Sequence, residues 1–190
     1  MGRALVTLGL SVLLLGSYTW YAITDHRPSS VVRTALFGAM GWLGAQAVLV
    51  FMTLVRPPGT RGSRALRLGL LVGVPLLFVA YLGLVSTEQF SFAKFSTGYS
   101  GEHALGCGLV ALFMGALVAG GAMFAWRGTD PYNPGISGAI IGMVGGLASG
   151  IGMTVACPSH EAFHSCFAHG LVVFALAAAG FGLGRRLLPP

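Results

Sequence analysis

The sequence predicts an all-α fold: an integral membrane bundle of six transmembrane helices with both termini in the cytoplasm. Three observations carry this prediction. The first is composition: 55% of the 190 residues are hydrophobic, 8% are charged and the mean hydropathy is +0.80. A water-soluble domain carries roughly a quarter charged residues. The second is segmentation into six apolar runs, each near the ~20 residues a helix needs to cross the hydrocarbon core. The third is the uneven distribution of arginine over the breaks between those runs, which sets orientation.

The first run covers residues 3–23. A signal peptide has a shorter apolar core and a small-x-small cleavage site. The stretch from Ala4 to Ile23 is long enough to span and no such site follows, so it is expected to be a retained helix. The break Asp25 to Ser30 leads to the second run, 32–54, which stops at Arg56-Pro57-Pro58-Gly59. The third run, 66–86, ends in the polar stretch Ser86 to Glu102, and the fourth, 103–125, is closed by Arg127 to Pro134. The fifth, 134–156, and the sixth, 162–184, are joined by the short turn Cys157-Pro158-Ser159. Inside lipid only helices and closed barrels satisfy their backbone groups. A barrel would need ~10-residue segments of alternating polarity, and these are missing. The chain, 1–190, therefore reads as one six-helix domain.

Six spans sort the polar breaks to two sides. One side receives Arg3, Arg56, Arg61, Arg64, Arg67, Arg127, Arg185 and Arg186, and the other receives Arg27, Arg33 and Lys94. The arginine-rich side is expected in the cytoplasm of a bacterium, with the chain multi-pass in the inner membrane. Acidic residues agree: Asp25, Glu88, Glu102 and Glu161 fall outside, and Asp130 falls inside. The formal charge of +6 is thus an orientation signal. No basic stripe with interleaved aromatics points to nucleic acid, so the lipid bilayer is the expected partner and direct nucleic-acid contact is not. Trp20, Tyr21, Trp126 and Tyr132 fall near span boundaries and are expected as interface anchors.

In the fifth span Gly138, Gly142, Gly146 and Gly150 stand four apart. That spacing puts them on one helix face, where small residues let a neighbouring helix approach closely. Tight packing is the expected role, and a hinge is the alternative.

The candidate chemistry gathers on the outer side. His26 lies in the first outer break, His103 and Cys107 open the fourth span, and Cys157, His160, His164, Cys166 and His169 surround the last outer turn. Two readings fit Cys107 and Cys157: a redox- or metal-responsive pair, and two buried inert thiols. A bridge between them needs Cα atoms within about 7 Å, which a compact bundle permits. Cys166 is a possible accessory thiol. His169 lies about a turn deeper, where an ionisable group must pair or face the bundle interior. His160-Glu161-Ala162-Phe163-His164 matches H-E-x-x-H, which on a helix places two histidines on one face for zinc with the glutamate as base. Pro158 just upstream, and the lack of an aspartate in any span, weigh against proteolysis. Zinc or another soft metal held by His160, His164 and a nearby thiol is the better use of the pattern, and interfacial histidines facing water are the bland one. No phosphate loop, paired intramembrane carboxylates or Ser/His/Asp set can be assembled, so the chain is not expected to be an enzyme or a transporter.

These residues carry a resemblance. Cys107 opens the fourth span, then come Arg127 with Pro134, then Gly135-Ile136-Ser137-Gly138-Ala139, then Cys157-Pro158 and, twelve positions after that cysteine, His169. The chain resembles the six-span membrane anti-sigma factors known as negative regulators of sigma-F (NrsF-like). The resemblance implies a protein that holds an extracytoplasmic-function sigma factor inactive at the membrane. It implies release under heavy-metal or oxidative stress through two cysteines, which by position are Cys107 and Cys157. Cys166, His160 and His164 are additional to the family pattern, and Ala168 stands where members often have Trp. Members usually have a cytoplasmic segment before the first span, where here only Met1 to Arg3 precede it, so three readings stand: a truncated start, sigma binding through the loop with Arg56, Arg61, Arg64 and Arg67, or a member that has lost the activity. Two readings from other classes are a zinc-binding protein or metallohydrolase using His160, Glu161 and His164, and a purely structural membrane protein.

Overall fold

A computed structural model describes residues 2–25, 29–55, 63–86, 99–130, 132–157, 159 and 161–190, side chains of 29–35 and 99–103 excepted. Among the described residues the chain is helical. Helix α1 spans Gly2–Thr24. Helix α2, Ser29–Val50, runs on into a π-helical turn, Phe51–Val55. Helix α3 is Arg64–Val85, α4 is Tyr99–Ala125 and α5 is Pro134–Ala156. Helix α6, Ala162–Leu187, is interrupted near its start by a π-helical turn, Ser165–Gly170. Among the described residues six helices are long and apolar enough to cross a membrane.

Local sequence explains the ends. Ser63 caps α3 by accepting from the Leu66 amide at 3.1 Å, filling one of the unsatisfied donors of a first turn. Pro134 sits at the first position of α5, where its missing N–H costs nothing. Polar residues within α1 bond back to their own helix: the Thr7 hydroxyl donates to the Arg3 carbonyl and the Ser11 hydroxyl to the Thr7 carbonyl. Such back-bonds remove the cost of an open hydroxyl in an apolar setting.

The bundle is built around α5, which touches all five other helices and whose apolar window is 94% buried. The glycine ladder faces α6. A Cβ on Gly142 would lie 2.0 Å from the Leu176 carbonyl oxygen, one on Gly138 would lie 2.2 Å from the Gly180 oxygen, and one on Gly146 would lie 2.6 Å from the Val173 Cα. Gly180 and Gly184 on α6 are equally close to Gly138. Backbone therefore packs on backbone along most of this pair, as small-residue stripes allow. Gly145 points the other way, to the Gly115 oxygen of α4, and Gly152 lies under the Tyr18 ring of α1. The ladder is thus one of several small-residue faces on a helix surrounded on all sides.

Outward-facing positions are apolar, with Leu84 and Phe124 among the most exposed side chains. A soluble monomer does not present so continuous an apolar exterior. Of the expected anchors, Trp20, Tyr21 and Tyr132 are exposed. Trp126 is not an exposed anchor: it is buried and donates from Nε1 to the Thr7 hydroxyl at 2.9 Å.

Candidate functional site

Cys107 lies one turn into the apolar part of α4 and is half-buried. Cys157 is the residue on which α5 ends. Its amide donates to the Met153 carbonyl at 2.7 Å, its backbone turns extended, and its side chain is 2% exposed. The packing of α4 on α5 brings residues fifty apart in sequence into contact, with the two sulfurs 3.8 Å apart and unbonded.

Two histidines of α6 close the arrangement. The Cys157 sulfur is 3.2 Å from His164 Nε2. The His164 and His169 rings meet edge to face, with centroids 5.4 Å apart. One ligand atom from each of Cys107, Cys157, His164 and His169 lies within 4.8 Å of every other. Cys157, His164 and His169 are all buried. Both ring nitrogens of His169 lack a hydrogen-bond partner among the described residues.

The π-helical turn explains why two histidines five residues apart can meet. On a regular α-helix they would point about 140° apart. In a turn with i→i+5 bonding, residues five apart lie one above the other. The segment Ser165–Gly170 adopts that form between them. A strict 3.6-residue reading pairs 160 with 164; the described backbone brings 164 and 169 together.

The H-E-x-x-H expectation required one helix over all five residues. The helix begins at Ala162, after Glu161 in extended conformation at φ −71°, ψ 131°, so the five-residue pattern does not lie on one helix. His160 lies outside the described residues. His164 keeps a place in the site, with different companions. Cys166, expected as an accessory thiol, is not brought in: its sulfur contacts the Val79 carbonyl of α3 at 3.6 Å. An apolar cavity of about 670 Å³ borders Cys107 and Cys157, walled by Tyr18, Val110, Met114 and Met153 among others.

At the opposite end of the helices lies a second polar cluster that the spacing of residues did not announce. Arg67, expected to face a partner, is 3% exposed. Its guanidinium donates to the Ser137 hydroxyl at 2.5 Å and lies 3.6 Å from the Asp130 carboxylate. The Ser137 hydroxyl donates in turn to Asp130, whose other oxygen accepts from the Tyr132 and Asn133 amides. Asp130 and Gly128 donate their amides to Leu188 and Leu187 at the end of α6. The cluster ties the start of α3, the α4–α5 connection, the start of α5 and the end of α6 together. The signal available in sequence was a lone aspartate between two spans, which alternation of spans put on the same side as Arg67. Of the other arginines expected to meet a partner, Arg64 is exposed, and Arg56 and Arg61 lie outside the described residues.

The chain is 28% identical over 163 residues to the anti-sigma-F factor NrsF of Caulobacter vibrioides (strain NA1000 / CB15N), a match covering 81% of this chain and 74% of that protein. No solved structure matches. The family model described as negative regulator of sigma F matches residues 1–189, and the chain therefore belongs to that family of anti-sigma factors, which are regulators and not enzymes.

Proposed function

We propose that this chain sits in a bacterial inner membrane with both termini in the cytoplasm, holds an extracytoplasmic-function sigma factor there, and releases it when Cys107 and Cys157 are oxidised or capture a soft metal. The observation that carries the reading is the 3.8 Å contact between those sulfurs. A disulfide has a length of about 2.05 Å, so oxidation draws the two sulfurs roughly 1.8 Å closer. The pull acts between the start of α4 and the end of α5, and Cys157 transmits it to His164 on α6. Helix α5 packs against α1, α2, α3, α4 and α6, so a displacement of its end bears on several helices at once. Release follows only if the sigma factor binds the two states with different affinity.

The sigma-binding face belongs on the arginine-rich end. Arg3, Arg64, Arg127, Arg185 and Arg186 are exposed there, and sigma contact is assigned to these. Arg67 serves as an internal tie instead. The test is co-purification of the full chain, in detergent or nanodiscs, with the extracytoplasmic-function sigma factors of its own cell. Retention under reducing conditions, loss after peroxide or cadmium, and retention under both by Cys107→Ser and Cys157→Ser support the reading. Absence of association in every condition overturns it.

A further inference from the structure

We propose that Cys107, Cys157, His164 and His169 form one four-coordinate site for a divalent d10 cation, zinc or its heavier congener cadmium. In using the same two sulfurs this rests on the sensor reading of Cys107 and Cys157, but cation binding itself requires no sigma factor.

Geometry comes first. Tetrahedral zinc with bonds of about 2.3 Å to sulfur and about 2.05 Å to nitrogen separates its ligands by ~3.8 Å between sulfurs and ~3.6 Å between sulfur and nitrogen. The observed sulfur pair stands at 3.8 Å and the Cys157 to His164 pair at 3.2 Å. The whole set falls within 4.8 Å. The sulfur pair already stands at tetrahedral spacing, the Cys157–His164 pair opens by roughly 0.4 Å, and no pair has to close by more than about 1.5 Å to complete a tetrahedron.

The second observation is His169. It is 1% exposed, and neither ring nitrogen has a partner among the described residues. A buried polar group left open costs about 1–3 kcal/mol, and such groups are rare enough to call for a reason. A cation ligated by one of its nitrogens supplies it. The charge balance then selects the ion. Two thiolates and two neutral imidazoles around a dication sum to zero, the state least penalised by burial next to an apolar cavity. A monovalent or trivalent ion leaves a net charge there. The N₂S₂ donor set and tetrahedral shape are those of zinc.

Loading and oxidation exclude each other, because both consume both sulfurs. With peroxide as oxidant, the cation-bound dithiolate and two protons give the disulfide, two waters and the free dication. The two electrons leave the sulfurs for the peroxide O–O bond. Oxidation therefore expels the cation, and the cation shields the thiols.

The experiment is a cobalt(II) titration of the reduced, full-length chain in detergent without oxygen. One equivalent is expected to give the intense visible bands of tetrahedral cobalt and thiolate charge-transfer bands in the near ultraviolet. Zinc or cadmium should displace both. Wild-type melting temperature should rise with cation, a check independent of any variant's folding. Cys107→Ser, Cys157→Ser, His164→Gln and His169→Gln are each expected to weaken binding by more than ~100-fold, beyond the loss typical of a supporting residue. Cys166→Ser should bind normally. Peroxide should release the bound ion in proportion to disulfide formed. A spectrum without tetrahedral features, or histidine variants that bind as wild type, overturns the assignment. If cobalt is not bound yet peroxide still frees the sigma factor, this inference fails while the sensor reading stands. If cobalt is bound and no sigma factor associates, the reverse holds.

Discussion

Replacing Gly142 by alanine adds one methyl group at the point of closest approach between α5 and α6. The new Cβ would stand 2.0 Å from the Leu176 carbonyl oxygen, where ordinary contact begins at 3.4 Å, so the two backbones must part by about 1.4 Å. No side chain can rotate away, because the obstructing atoms are backbone. Separation at Gly142 also opens the contacts at Gly138 and Gly146, which rely on the same spacing. A gap of an ångström forfeits up to half of each dispersion well of ~0.1–0.2 kcal/mol, so a face of a few tens of atom pairs loses about 2–3 kcal/mol. This agrees with the ~1–3 kcal/mol typical of an overfilled core. The control is Gly9→Ala on α1, where a Cβ meets nothing within 4 Å. Detergent-solubilised proteins are unfolded by heat or by titrated SDS and followed by tryptophan fluorescence. Gly142→Ala should melt well below wild type and Gly9→Ala should not. Equal stability of Gly142→Ala and wild type, or equal losses in both variants, would refute backbone-on-backbone packing.

Three further outcomes are expected. Arg67→Met leaves the buried Asp130 carboxylate without its guanidinium and should cost on the order of 3–5 kcal/mol; adding Asp130→Asn should restore part of it, and an Arg67→Met protein as stable as wild type would show that this network contributes little. Dilute oxidant should join Cys107 to Cys157 and leave Cys166 alkylatable, since only the first pair is in contact; peptide mapping without reductant reads this, and a bridge to Cys166 would contradict the described geometry. Gly150→Ala places a Cβ 2.9 Å from the His169 carbonyl oxygen and should lower cobalt affinity along with stability, whereas Gly73→Ala, which meets nothing within 4 Å, should change neither.

Hydropathy alone determined that six helices form and nearly where each ends, because a span long enough to cross lipid leaves little freedom in the sequence. It also placed Cys107, Cys157, His164 and His169 toward one end, since alternation of spans decides which breaks share a side. Four-residue spacing announced a packing face on α5 for the same local reason. What only the tertiary structure decided was which partners those faces meet. That α5 is enclosed by five neighbours, and not by one, depends on how the helices pack around each other, which no local period encodes. Trp126 and Arg67 read from sequence as surface groups because boundary position predicts exposure, yet each has a buried partner distant in the chain, Thr7 in one case and Asp130 with Ser137 in the other. The pairing of His164 with His169 turns on a single π-helical turn. A small change in local hydrogen bonding there rotates one imidazole onto the face of another, and the 3.6-residue rule points elsewhere.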